Sequence, residues 1–536
     1  MHQNNVSGAV ATPHTDATDA AHQVFANGGN AIDAALAAAA MLTVLYPNQC
    51  TIGGDAIAMV GTADGSVSVV NGTGKSAQAL DPADYTGPDG FVPVAGAKSV
   101  TVPGVLSAWQ VLAERWGRHP LSAALLPAAA AAAAGVSVAP GVHRDLLREQ
   151  DLLAQDAGTH AIFFPDGKLI GAGQNLELAR LAGSLTTIAQ TGIGAFYAGD
   201  IGQSIVDTLR RLGSDLTMDD FATHVTTIET PLAAHFDGTE YLSAGGNSQG
   251  TFFLQGLAAL DAVAGRIGRI PDPVGAEAAV VASILAACAT DRDRFLGDPL
   301  HTTIPYADLL SRAAADSLAD AALTGHRAAT ELRPRSYARR TGDTVAIVTA
   351  DSDGNWVSLI QSAFHAFGSG VLDPGTGILL HNRGASFSLR PGAANELAPG
   401  RKPPHTLMPV LARRDGQLIG AHGTMGGRAQ PQVHTHLALN LALGMTAEQS
   451  VARPRWIVGQ MEAGATAANE AVTISVEEGV SASSIGTLVE AGFHTKELEP
   501  LDDAVGHLQV VRQGQLPGAF TTGSDPRSDG LSPESN

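Results

Sequence analysis

Gly342–Ser362 reads GDTVAIVTADSDGNWVSLIQS. Two β-branched runs, Thr344–Ala350 and Trp356–Ser362, flank Asp351-Ser352-Asp353-Gly354-Asn355, the signature of a hairpin. Before it, residues 324–343 hold five arginines, one proline and almost no large apolar residue, so an exposed loop is expected there. After it, Gly377–Leu380 reads as a short strand, and Leu407–Leu411 with Leu418–Ala421 as another hairpin. The glycine loop Gly423-Thr424-Met425-Gly426-Gly427 leads into a helix over Gln432–Leu443. Strand pairs layered with helices predict an α/β (α+β) sandwich with largely antiparallel sheets.

Toward the N-terminus, Thr15–Ala26 reads as a helix stopped by Asn27-Gly28-Gly29. Asn30 with Asp33 three residues on forms a capping box for a second helix. That helix, NAIDAALAAAAMLTVL, is apolar nearly all round and should be buried. The turn Thr51–Asp55 leads into the strand AIAMV, with Ser66–Val70 as its hairpin partner. From Ala108 to Ala322 the pattern is mainly helical and alanine-rich, and Leu121–Ala139 reads as a buried, closely packed helix, because alanine transfers poorly to lipid. There is no internal repeat, and the last few residues of the polar tail are expected to be disordered.

The chain has 536 residues, 44% of them hydrophobic, and a net charge of −20. A sizeable core is affordable at this length, and the sign of the charge argues against nucleic-acid and membrane-surface binding. Two distant cysteines, Cys50 and Cys288, form no disulfide framework and suggest a reducing, cytoplasmic setting. The first twenty residues lack the basic and apolar regions of a secretory signal. Asn71–Ser76 looks like a phosphate loop, but Val69 stands where its first glycine turn is needed. Six histidines lie between positions 365 and 436 without metal-ligand spacing and read as scattered polar residues, so no metal and no cofactor is expected. No serine elbow is present, and neither cysteine sits in a catalytic context. Gly342-Asp343-Thr344 is the strongest remaining constellation. A threonine hydroxyl needs a neighbouring base. If the Asp343–Thr344 bond were cut, Thr344 would carry its own, an α-amine with a pKa of about 7.7–8.0.

The chain resembles the γ-glutamyltranspeptidases, which are N-terminal-nucleophile hydrolases. The likeness runs from Gly8 to Gly530 and rests on segments in a fixed order. They are Gly28–Ala35, Ile52-Gly53-Gly54, Val102–Val105, the hairpin from Thr344, Phe367–Gly370 running on to PGTGILLHN, Pro409, Thr424–Gly427 and Asp525-Pro526-Arg527. The resemblance implies a four-layer αββα fold and a proenzyme that cleaves itself. The family's nucleophile lies ten residues before the glycine of the Asp-Gly-Asn turn, which is Thr344 here. Residues 1–343 would then form a large subunit and residues 344–536 a small one, associated in one interwoven fold. The family's oxyanion hole falls on Gly426 and Gly427, where close backbone approach requires glycine.

The substrate-binding set departs from that of the glutathione-acting members. Their arginine falls near Thr73, with Lys75 the nearest cation. Their asparagine falls on Phe364, their aspartate on Ser386, their serine pair on His405-Thr406, and the threonine after the nucleophile on Val345. Losing a carboxylate partner for a buried ammonium disfavours a glutamyl α-amine. The segments NRGASFSL and PPHTLMPVL resemble instead a divergent branch that includes cephalosporin-acylase-like proteins and oxamate amidohydrolase. Arg383, Arg428, Lys75 and His405 remain to hold an anionic acyl group. The expectation is therefore a self-processing amidohydrolase acting on a small anionic acyl amide through an acyl–Thr344 ester. The alternatives are γ-glutamyl hydrolysis or transfer from glutathione-like donors, and an uncleaved binding protein. No nucleic-acid or membrane partner is expected, and a homo-oligomer stays open.

Overall fold

The computed structural model describes residues 7–87, 90–325, 342–459, 472–516 and 518–529. The five arginines of the expected loop and the end of the polar tail lie outside the described residues.

Twelve strands build two six-stranded sheets: β1 (Gly8–Ala11), β2 (Asp55–Gly61), β3 (Val67–Gly72), β4 (Thr227–Glu229), β5 (Leu232–Phe236), β6 (Thr239–Ser243), β7 (Gly342–Asp351), β8 (Trp356–His365), β9 (Val410–Arg414), β10 (Gln417–Thr424), β11 (Leu508–Gln513) and β12 (Phe520–Ser524). The first sheet runs β1-β7-β8-β2-β3-β4 and the second β12-β11-β10-β9-β6-β5. Every pairing within both sheets is antiparallel.

The period-two alternation of β7 explains the layering. Ala346, Val348 and Ala350 face the second sheet and pack with Leu242, Leu411, Ala421 and Val511. Val345 and Ile347 face the other way, into a helical layer. That layer contains α1 (Thr15–Ala26) and α2 (Ala31–Leu45), with α3 (Val105–Trp116) and α4 (Ser122–Ala134) beside them. Behind the second sheet pack α5 (Gly250–Ile267), α6 (Ala278–Phe295), α7 (Arg312–Leu323) and α8 (Gln430–Ala442). The result is helix, sheet, sheet, helix, as the resemblance implied. α2 is buried on every face except at Met41, and its capping box forms as expected. Asp351, in the hairpin turn, accepts the Ala31 amide at 2.8 Å and so pins the start of α2 to the strand that carries Thr344.

Residues 108–322 are mainly helical as expected, with β4–β6 set among the helices. Asp237 and Gly238 both take positive φ, at 48° and 68°, and close β5 and β6 into a hairpin. Three expectations need correction. The helix in Leu121–Ala139 ends at Ala134, where Gly135 turns at φ 84°, and only its face along Ala124, Leu125, Ala128, Ala129 and Ala132 is buried. Gly342 and Asp343 belong to β7 and not to a loop. The six histidines from His365 to His436 are not scattered polar residues; each is at most 1% exposed. Among the described residues, no helix is long and apolar enough to cross a membrane.

Candidate active site

The site forms where β7 and β8 part company. Their register is regular to Gln361 and shifts before Phe364, which pairs with Asp343. The bulge forces Phe364 to φ 82°, a region a bulky residue enters only when its surroundings hold it there. Two contacts do so. Ser362 Oγ accepts the Phe364 amide at 2.7 Å, and the Phe364 ring lies under the Arg383 guanidinium, 3.8 Å from centroid to Cζ.

The same bulge delivers Ser362 to Thr344. Thr344 Oγ1 donates to Ser362 Oγ at 3.1 Å, and Ser362 Oγ donates to the Asp343 carbonyl at 2.5 Å. The Thr344 hydroxyl and the Asp343 carbonyl thus share one serine, with Thr344 only 2% exposed.

Asp55 is the cross-strand partner of Ser362 on β2 and is fully buried. It accepts His405 Nε2 at 2.9 Å and the amides of Gly74 and Gly104 at 3.3 and 3.2 Å, with His381 Nδ1 at 3.5 Å. Burial alone would raise the Asp55 carboxyl. The charges of His381, His405 and Arg383, together with the His405 hydrogen bond, outweigh it and hold the group at about 2. Burial, and then the Arg383 charge, push His405 down to about 3, so its ring is neutral at pH 7. Arg383 is 1% exposed, and its Nη1 donates to Thr406 Oγ1 at 3.2 Å. Ser386 closes the turn after it, donating to the carbonyls of Arg383 and Pro404 at 2.7 and 3.0 Å. The arrangement offers an enclosed guanidinium and hydroxyls near a threonine.

The glycine loop follows β10. Gly426 sits at φ 145° and Gly427 at φ 48°, conformations that need glycine, and the turn Gly427–Ala429 packs against β7. Its base is held from the far end of the chain. Met425 donates its amide to His507 O at 3.0 Å, and a Cβ on Gly506 would come within 2.6 Å of the Met425 carbonyl. Arg455 donates to Val505 O at 2.8 Å, to Gly506 O at 2.5 Å and to Asp525 at 2.5 Å. Arg527 joins Asp525 to Glu477. The segment Asp525-Pro526-Arg527 thereby supports the glycine loop.

The structure therefore gathers Asp343, Thr344, Phe364, Arg383, Ser386, His405 and Thr406. Thr73 is buried nearby, bonded to Asn71 and Asn247. Lys75 is exposed. Arg428 turns away to pair with Asp293 on α6. Ser362, Asp55 and His381 escaped the sequence reading. An acid opening the apolar strand Asp55–Gly61 was the one signal available for Asp55. Among the described residues, no group of three or more His, Cys, Asp or Glu side chains is arranged to hold a metal ion.

The gamma-glutamyltranspeptidase profile matches residues 17–533. The chain belongs to the gamma-glutamyltranspeptidase family. Within that family it is 34% identical to a glutathione hydrolase-like proenzyme of Bacillus subtilis, with 97% of each chain covered. It is 31% identical to the oxamate amidohydrolase proenzyme of Klebsiella pneumoniae, with 99% of each covered. The crystal structure of cephalosporin acylase from Bacillus halodurans superposes with a TM-score of 0.86 at 30% identity, over 98% of this chain and 96% of that one. The chain is accordingly an amidohydrolase of the N-terminal-nucleophile class, acting on amide bonds.

Proposed function

We propose that the chain processes itself between Asp343 and Thr344 and then hydrolyses a small, anionic acyl amide of the oxamate or dicarboxylic monoamide kind. One observation carries the reading: Ser362 bridges the Thr344 hydroxyl and the Asp343 carbonyl. In the precursor, Thr344 Oγ attacks that carbonyl carbon and its proton passes to the departing amide nitrogen. The resulting ester between Asp343 and Thr344 is opened by water, which frees the Thr344 α-amine. In the mature enzyme this amine takes the hydroxyl proton as Oγ attacks the substrate carbonyl, and returns it to the leaving amine. The amides of Gly426 and Gly427 stabilise the oxyanion. Water then releases the acid from Thr344.

The enclosed Arg383–Thr406 pair supports an anionic acyl group, and the near-complete burial of Thr344, His405, Thr406 and Phe364 supports a small one. The two free, buried cysteines support a cytoplasmic setting. Denaturing electrophoresis of matured protein tests processing: two fragments are expected, merging into one band in Thr344→Ala. A single full-length band from active wild type would overturn the reading. A panel of oxamate, succinamate and a γ-glutamyl anilide tests the substrate class. Fastest turnover of the anilide would replace it with the glutamyl alternative.

A further inference from the structure

Asn247, Ser248 and Gln249 are three consecutive polar residues, each 0% exposed, immediately before α5. Their position is set by Gly250, where a Cβ would lie 2.3 Å from the Ala244 carbonyl, so the chain passes too close to β6 for any side chain. Buried polar groups of this kind seek partners, and each of these three donates to the loop 403–407 that carries His405 and Thr406. Asn247 donates to Pro403 O at 2.9 Å, and its own carbonyl accepts the His405 amide at 2.6 Å. Ser248 donates to Leu407 O at 2.6 Å. Gln249 Nε2 donates to Thr406 O at 2.9 Å and to Gly427 O at 2.8 Å. Two carbonyls can be satisfied only by the amide nitrogen, which fixes the orientation of the Gln249 side chain.

We infer that Gln249 is a positioning residue that locks the acyl-holding loop to the oxyanion loop. One planar amide spans Thr406 and Gly427, so the distance between the group that holds the acyl chain and the group that receives the developing charge is set by a single rigid unit. This rests on the reading of Thr344 as nucleophile and of Gly426-Gly427 as oxyanion donors. Loss of the clamp leaves both loops present but free to shift against each other, and a misplacement of about 1 Å costs on the order of a hundredfold in rate.

The test uses the whole matured protein, both fragments together, with Gln249→Met and Gln249→Glu, which keep the side-chain volume. The probe is whichever of oxamate, succinamate and the γ-glutamyl anilide wild type hydrolyses fastest. The expected result is a fall in kcat of about tenfold to a hundredfold, with KM changed far less, in variants that melt close to wild type. A cycle with Arg383→Met separates positioning from mere structure. The clamp predicts a combined loss well below the product of the single losses, because the grip of Arg383 on the acyl group no longer reaches the oxyanion loop. Unchanged kcat, losses that multiply, or failure of both Gln249 variants to fold would each overturn the inference. Inactive wild type, or full activity in Thr344→Ala, would instead overturn the reading beneath it.

Discussion

The Thr344 and Ser362 hydroxyls lie 3.1 Å apart across the bulge between β7 and β8, and the Ser362 proton is committed to the Asp343 carbonyl. In the proposed processing step, Ser362 would orient the attacking oxygen and polarise the carbonyl it attacks.

Ser362→Ala should slow self-cleavage about tenfold to a hundredfold, the range for a positioned proton-handling group. Ser362→Thr, which keeps the hydroxyl, should restore much of the rate. The fraction of full-length chain on denaturing gels over time measures both, and equal processing in the alanine variant would remove Ser362 from the reaction.

Gly426→Ala should fold but lose about a hundredfold or more in kcat. A Cβ at Gly426 meets nothing closer than 3.6 Å, so space is not the obstacle. The backbone at φ 145° is, because an alanine must rotate away and take the amide direction with it. Steady-state kinetics on matured protein checks this, and a loss confined to KM would count against an oxyanion role.

Acid should destabilise the protein steeply below neutrality. Burial lowers His405, His434 and His436 to about 3 and His507 to about 4. The unfolded chain has these groups near pH 6.5, so between there and about 4 it binds protons that the folded chain refuses. Stability falls as pH falls, each group contributing about 1.4 kcal/mol per pH unit well below 6.5. Melting temperatures from pH 7.5 to 5 should decline accordingly, and His434→Phe should flatten the slope by about one proton. A flat profile would mean that these rings already carry charge in the fold.

Arg455→Met should cost about 3–5 kcal/mol, because Asp525 would remain buried beside one cation in place of two. The carbonyls of Val505 and Gly506 would lose their donor too, so processing should slow along with the fall in melting temperature. Thermal unfolding together with the cleavage assay measures the pair of effects. Loss of stability with untouched processing would detach the Arg455 network from the glycine loop.

Local patterns carried much of this molecule. The alternation in Thr344–Ala350 is visible along the chain because strand period and hydrophobic period coincide, and it places one face against helices and the other between sheets. The capping box at Asn30 and the positive-φ glycines at 426 and 427 are equally local. Thr344 itself came from its spacing to Gly354 within a family pattern. Ser362, Asp55 and Gln249 could not be found this way. Each is an ordinary polar residue in sequence, 18, 289 and 95 positions from Thr344. Their roles arise from strand register, a bulge and two long-range carbonyl contacts. Nor could the chain show that Arg383 is enclosed while Arg428 is spent on Asp293. Periodicity and capping are set by neighbours a few residues apart, so the sequence by itself determined most of the elements and singled out Thr344 as the nucleophile to propose. Which polar groups share a buried site depends on contacts closed over hundreds of residues, and only the tertiary structure decided that.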